Sequence, residues 1–131
     1  TGLDYACEVD RASQERLFRA HLEAAERLQK LVVLHVVKAF EPVMKILAQY
    51  NLEGVVFHGF IGSAQQAERA TKKGYFLSFG ASTARSPKTI EALRNTSLDK
   101  IFIESDESNK NIEDIYKEFF KSDYSKIKLI R

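Results

Sequence analysis

The sequence predicts an α/β fold in which parallel strands pack against outer helices. Short apolar runs rich in β-branched residues alternate four times with segments that carry apolar residues at helical spacing. The connections are short, and no linker rich in proline, glycine or serine interrupts them. Such alternation is typical of βαβ units, whose strands are parallel. A doubly wound open sheet and a (β/α) barrel are both compatible with this pattern.

The strand predictions come from short apolar runs. The run at 31–37 contains four valines, and its seven residues suit a buried strand better than a helix. Three similar runs follow along the chain. The predicted strands cover residues 31–36, 55–60, 75–79 and 100–105.

The helix predictions come from apolar stripes and from residues that start and stop helices. Ser63 and Gln66 have the spacing of a capping box, and Gly74 stands where a left-handed residue ends a helix. Ser86 is expected to cap another helix, with Pro87 at its first position. The predicted helices cover residues 10–30, 39–50, 64–73, 87–94 and 111–121.

Composition excludes several classes of protein. The 131 residues include 20 Lys+Arg and 18 Asp+Glu, so the chain lacks the bulk basic excess of a histone-like nucleic-acid binder. One cysteine, Cys7, excludes an internal disulfide framework and a cysteine-rich zinc module. No apolar run approaches the roughly 20 residues of a membrane span, and we expect no secretory leader. We expect a single cytoplasmic domain over residues 1–131, with no membrane partner.

Possible metal ligands stand at the ends of three predicted strands. His35 and His58 each close an apolar run, and Glu104, Ser105 and Asp106 follow the last one. The carboxyl ends of parallel strands form the face where such folds bind ligands. Imidazole and carboxylate suit zinc or manganese, and carboxylate suits magnesium. His35 and His58 are one strand-to-strand period apart, so they can project toward a common point.

Purely structural roles are also open for these residues. A lone histidine at a strand end is more often a hydrogen-bonded core or rim residue than a metal ligand. His21 lies in the middle of a helix, where a surface or packing role is expected. The turn at 59–63 could receive an anion, but it matches neither the P-loop nor the dinucleotide pattern. We therefore interpret it as a tight turn and helix cap.

Five segments, taken in order, resemble the successive strand motifs of the TatD-like metal-dependent hydrolases. They are TGLDY at 1–5, VVLH at 32–35, VFHGFIGS at 56–63, YFLSFG at 75–80 and IFIESD at 101–106. The resemblance implies a partial TIM-type (β/α) barrel and a site for one or two divalent metal ions (Mg, Mn or Zn). It also implies hydrolysis of phosphodiester bonds in DNA, with single strands or strand ends as the substrate.

The resemblance assigns roles to individual residues. His35 and His58 match the metal-binding histidines that end the fourth and fifth barrel strands. Asp106 matches the aspartate after the seventh strand, which binds metal and orients the attacking water, so it is the implied catalytic residue. Glu104 and Ser105 are implied to support these ligands. Val37 departs from the family, because many members carry an arginine at that position.

Other parts of the family pattern have no counterpart in this sequence. The family's His-x-His pair is absent, and its bridging glutamate would stand just before Thr1. A TIM barrel takes about 250 residues, so the 131 residues would supply the end of strand three through strand seven. We expect a fragment of a longer enzyme that is inactive by itself. Two alternatives stay open: an amidohydrolase-like esterase or amidase, and an inactive barrel fragment that acts as an interaction module.

Overall fold

Five strands form one sheet with α-helices between them. The computed structural model describes residues 1–105 and 109–119. The strands are β1 (Gly2–Asp4), β2 (Val32–Val37), β3 (Val55–His58), β4 (Phe76–Phe79) and β5 (Ile101–Ile103). The helices are α1 (Arg11–Leu28), α2 (Phe40–Leu47), α3 (Ala64–Lys72), α4 (Pro87–Asn95) and α5 (Ile112–Phe119). Short 3₁₀ helices, Ala81–Arg85 and Leu98–Lys100, precede α4 and β5.

The strands follow one another across the sheet in chain order, and each pairs in parallel with its neighbour. Right-handed crossovers between sequential neighbours place the connecting helices on the same face of the sheet. A doubly wound sheet instead reverses its strand order at a switch point. The observed order therefore favours the barrel type. The prediction of parallel strands with outer helices is confirmed.

The two faces of the sheet differ in burial. Leu34, Phe57 and Leu77 point toward the helices and are at most 2% exposed. Residues at alternate positions point the other way, where Val33 is 49% and Phe102 is 41% exposed. The described helices thus cover one face and leave the other open. This arrangement is that of part of a (β/α) barrel, in which the second face points to the barrel interior.

Aromatic rings fill the core beneath the carboxyl ends of the strands. The Phe60 ring lies 6.4 Å from that of Phe57 and 5.7 Å from that of Phe79, both nearly edge-on. Phe40, at the start of α2, lies 5.9 Å from Phe57. Edge-to-face pairs of this kind add packing energy and fix ring positions. The residues that end β3 and β4 therefore lie beside a packed aromatic cluster.

None of the helices in the described part of the chain is long and apolar enough to cross a membrane.

The predicted capping box at the start of α3 is confirmed. The hydroxyl of Ser63 accepts a hydrogen bond from the Gln66 amide at 3.2 Å, and the Gln66 side chain accepts one from the Ser63 amide at 2.9 Å. Gly74 follows the helix with a φ of +87°, the left-handed conformation expected there.

Ser86 is the N-cap residue and α4 begins at Pro87, both as predicted, but the Ser86 side chain makes no capping hydrogen bond. The Ser86 hydroxyl bonds to Thr89 Oγ1 at 2.8 Å instead of to a backbone amide. Thr89 Oγ1 also accepts the Gly62 amide at 3.2 Å. The Ser86 hydroxyl is therefore part of a tertiary hydrogen-bond network that joins α4 to the turn before α3.

Candidate metal centre

His35 and His58 lie side by side at the carboxyl end of the sheet. They are direct Cα partners in the parallel register of β2 and β3. Neighbouring strands are about 4.8 Å apart, and paired residues point to the same face, so the two imidazoles share the open face. Their side chains are 60% and 32% exposed, respectively. The structure brings these two residues together, and their role as metal ligands stays a prediction.

Asp4 at the end of β1 holds His35. Its Oδ2 lies 3.1 Å from His35 Nε2, and its Oδ1 accepts the Ala6 amide at 2.9 Å. The Ala6 amide, and then the His35 ring, lower the pKa of the Asp4 carboxyl from its ordinary value. Gln14 of α1 brackets the Asp4 backbone, accepting from its amide at 2.7 Å and donating to its carbonyl at 2.8 Å. The carboxylate is therefore fixed and charged at neutral pH.

Glu104 holds His58 in a corresponding way. Its Oε2 lies 2.8 Å from His58 Nδ1 and accepts the Gly59 amide at 3.2 Å. The same oxygen accepts a hydrogen bond from the hydroxyl of Ser78, which is 5% exposed. Three donors from β3, the following turn and β4 thus converge on one carboxylate oxygen. Glu104 therefore orients His58, and its role in supporting a metal ligand stays a prediction.

The paired carboxylates suit histidines that bind a metal ion. Metal-binding histidines commonly face a carboxylate with one ring nitrogen, which fixes the ring and raises the basicity of the other. The nitrogen that points away from the carboxylate is Nδ1 in His35 and Nε2 in His58. Two neutral imidazoles fit zinc or manganese, although a complete centre needs more ligands.

The described residues do not group a complete set of metal ligands. Within 1–105 and 109–119, no group of three or more His, Cys, Asp or Glu side chains is placed to hold a metal ion. Asp106, the predicted catalytic residue and third ligand, lies outside the described residues. The described part of the chain therefore supplies two imidazoles and the carboxylates that orient them.

Sequence reasoning missed Asp4 and Ser78 as parts of this site. Asp4 ends a strand of three residues, which is too short to show a period of two. Ser78 is two residues from Phe76 along β4, and side chains alternate between the faces of a strand, so both point to the open face. A polar residue at or near the carboxyl end of a strand indicates a site residue. This signal is present at Asp4 and Ser78 as well as at His35, His58 and the segment after β5.

Comparison with known proteins agrees with this architecture. The family model described as TatD related DNase matches residues 1–126. A protein of Encephalitozoon cuniculi named as a homologue of the deoxyribonuclease TATDN1 is 31% identical over 99% of this chain and 48% of its own length. A Bacillus subtilis protein named as the metal-dependent hydrolase YabD is 31% identical over 80% of this chain and 43% of its own. The chain spans about half the length of these curated relatives.

Solved structures show the same relationship. The crystal structure of YJJV, a TatD homologue from Escherichia coli, matches with a TM-score of 0.72 at 29% identity, over 80% of this chain and 42% of that one. A TatD family hydrolase from Entamoeba histolytica shares the fold with a TM-score of 0.73 at 18% identity, over 80% of this chain and 36% of its own. Since the family model covers residues 1–126 and the partial barrel matches its solved members, this chain belongs to the TatD-related DNase family.

Proposed function

We propose that this chain forms part of the active site of a divalent-metal-dependent hydrolase that cleaves phosphodiester bonds in DNA. The observation that carries the proposal is the pair of histidines in register at the carboxyl end of β2 and β3, each facing a carboxylate. A nuclease is supported by the family description and by the relatives named as deoxyribonucleases or metal-dependent hydrolases.

In the proposed mechanism, His35 and His58 would hold a divalent cation through their neutral imidazoles. Asp106 would complete this part of the ligand set and orient the attacking water. The chemistry that a cation held there would supply is polarisation of the phosphoryl oxygen and a lowered pKa of a water molecule. Glu104 and Asp4 keep the two rings in the orientation and tautomer that binding requires.

An esterase or amidase of the wider amidohydrolase type is the alternative enzymatic function, because one barrel fold supports many reactions. The full-length protein, loaded with Mg²⁺, Mn²⁺ or Zn²⁺, should degrade labelled single-stranded DNA, and EDTA should stop the reaction. If it instead hydrolyses only small esters, lactones or amides, the proposed substrate is wrong.

Asp106→Asn tests the role of the carboxylate, because it keeps the volume of the side chain and removes its charge. We expect it to abolish most DNA cleavage and to weaken metal binding, measured by metal analysis of dialysed protein. Glu91→Gln makes the same change on the exposed surface of α4 and should alter neither. An Asp106→Asn protein that cleaves DNA at the full rate would refute the role assigned to this residue.

The 131 residues by themselves should show little hydrolysis, since the described part holds no set of three ligands. Robust, EDTA-sensitive cleavage by this segment alone would show that it contains a complete site. It would also exclude the remaining alternative, an inactive fragment that serves as an interaction module.

A further inference from the structure

A cleft of about 1380 Å³ opens beside the candidate metal centre, and its charged residues are unevenly paired. His35, His58 and Glu104 line it. Each acidic residue that lines the cleft in the described part of the chain already has a cationic or imidazole partner. These pairs are Glu41 with Arg69, Glu104 with His58, and Glu118 with Lys110.

Three cations that line the same cleft lack such partners. Lys38, Arg85 and Lys88 are exposed, and their side chains make no ion pair or hydrogen bond with any residue in 1–105 or 109–119. We call these three residues the basic rim. Glu41 and Glu118 are paired with cations, whereas Glu104 faces a neutral imidazole and keeps its charge. The three rim cations exceed this one uncompensated carboxylate, so the described lining of the cleft has a local excess of positive charge. The chain as a whole has a formal charge of only +2, so attraction of an anion to this cleft would depend on the local charges and not on the net charge.

The basic rim lies on both sides of the strand that carries His58. Lys38 follows β2 directly, whereas Arg85 ends the 3₁₀ helix after β4 and Lys88 lies in the first turn of α4. The ends of β2 and β4 are two strand spacings apart, or about 10 Å. Cations on both sides of β3 can contact successive phosphates of a strand that runs across the end of β3.

Lys38 also has a backbone conformation that a lysine adopts at a cost. Its φ is +51°, in the left-handed region where glycine is favoured. The conformation turns the chain at the end of β2 and leaves the side chain on the cleft. A strained residue beside a candidate site is consistent with a functional role for its side chain.

We propose that the basic rim binds the phosphates of a single nucleic-acid strand on both sides of the bond to be cleaved. This inference rests on the proposed function, since it assumes a polymeric phosphodiester substrate at this site. Contacts to phosphates position a strand without reading its bases. The rim should therefore favour binding of any nucleic-acid sequence, and the affinity should depend strongly on the salt concentration.

The test measures binding without cleavage. Fluorescence anisotropy of a labelled single-stranded oligonucleotide, in EDTA and at several NaCl concentrations, gives Kd and its salt dependence for the full-length protein. The test variant is Lys38→Gln/Arg85→Gln/Lys88→Gln. The matched control is Lys30→Gln/Lys45→Gln/Arg94→Gln. It removes the same charges from exposed positions before β2 and in the last turns of α2 and α4, at the opposite end of the sheet.

The test variant should lower the slope of log Kd against log salt by about 2, since each phosphate contact on a single strand contributes about 0.7. At about 0.1 M salt its Kd should weaken roughly fivefold for each lost contact, or on the order of 100-fold in total. The control should bind like the unmodified protein. An oligonucleotide with an uncharged methylphosphonate backbone should bind weakly to all three proteins.

Equal Kd values and slopes for the test variant and the control would overturn the inference. So would a loss of affinity that is the same for the charged and the uncharged backbone, because phosphate contacts could not then explain it. The proposed function is judged separately by DNA cleavage with metal. If the protein cleaves DNA but its rim variant binds like the control, the phosphate-binding role of the rim is wrong and the proposed function stands. If binding depends on the rim but no cleavage occurs, the proposed hydrolase function is wrong and the role of the rim stands.

Discussion

Glu104→Gln isolates the negative charge that faces His58. The carboxamide oxygen can take the place of Oε2 and keep its three donors, His58 Nδ1, the Gly59 amide and the Ser78 hydroxyl. The imidazole therefore keeps a hydrogen-bond acceptor and loses only the charge beside it. Groups of this kind, one step removed from the metal, typically change metal affinity by about 10- to 100-fold. This range corresponds to about 1.4 to 2.7 kcal/mol.

Competition with a fluorescent chelator measures the affinity of the full-length protein for Zn²⁺ or Mn²⁺. Glu104→Gln should weaken binding within that range. Ser78→Ala keeps the charge and removes one of the three donors, so its effect should stay below about tenfold. Glu91→Gln should have none. Metal affinity that is unchanged in Glu104→Gln would refute the proposal that Glu104 orients a metal-binding His58.

Three further predictions concern other parts of the chain. Arg69 lowers the pKa of Glu41 below its ordinary value of 4.5, so their pair stabilises the fold above about pH 4.5 and this contribution is lost as the pH falls through the lowered pKa; in an NMR titration, Arg69→Gln should raise the pKa of Glu41 toward 4.5. Gln29 ends α1 with a φ of 52°, so Gln29→Gly should raise the free energy of unfolding in urea by up to about 1 kcal/mol. Thr83 is fully buried and its hydroxyl has no hydrogen-bond partner among the described residues, so Thr83→Val should stabilise the fold by about 1 kcal/mol, and a loss of stability would point to a partner for that hydroxyl.

Local patterns predicted most of the fold because the signals were local. The capping box at Ser63 and Gln66 spans three residues, and the β-branched run of β2 lies within one strand. Ser86 takes the predicted N-cap position, but its hydroxyl bonds within a network that reaches Gly62, 24 residues away in sequence. Such a contact exists only after the helices pack.

The site was predicted in part for the same reason. The positions of His35 and His58 at strand ends identified them, because parallel strands bring their carboxyl ends to the same edge of the sheet. The side chains that orient these histidines, directly or through Glu104, come from segments that are distant in sequence. Asp4 is 31 residues from His35, and Ser78 is 26 residues from Glu104. Periodicity within a single element carries no information about those distances.

The direct pairing of His35 with His58 determines which changes of chain length the site can tolerate. One extra residue inside β3 would turn His58 toward the helix-covered face and push Phe57 out of the core, because side chains alternate along a strand. Extra residues at 49–53, between α2 and β3, would leave the pairing intact and add little loop-closure entropy. Homologous chains should therefore vary in length between strands and keep the two histidines in step, even where they share few other residues.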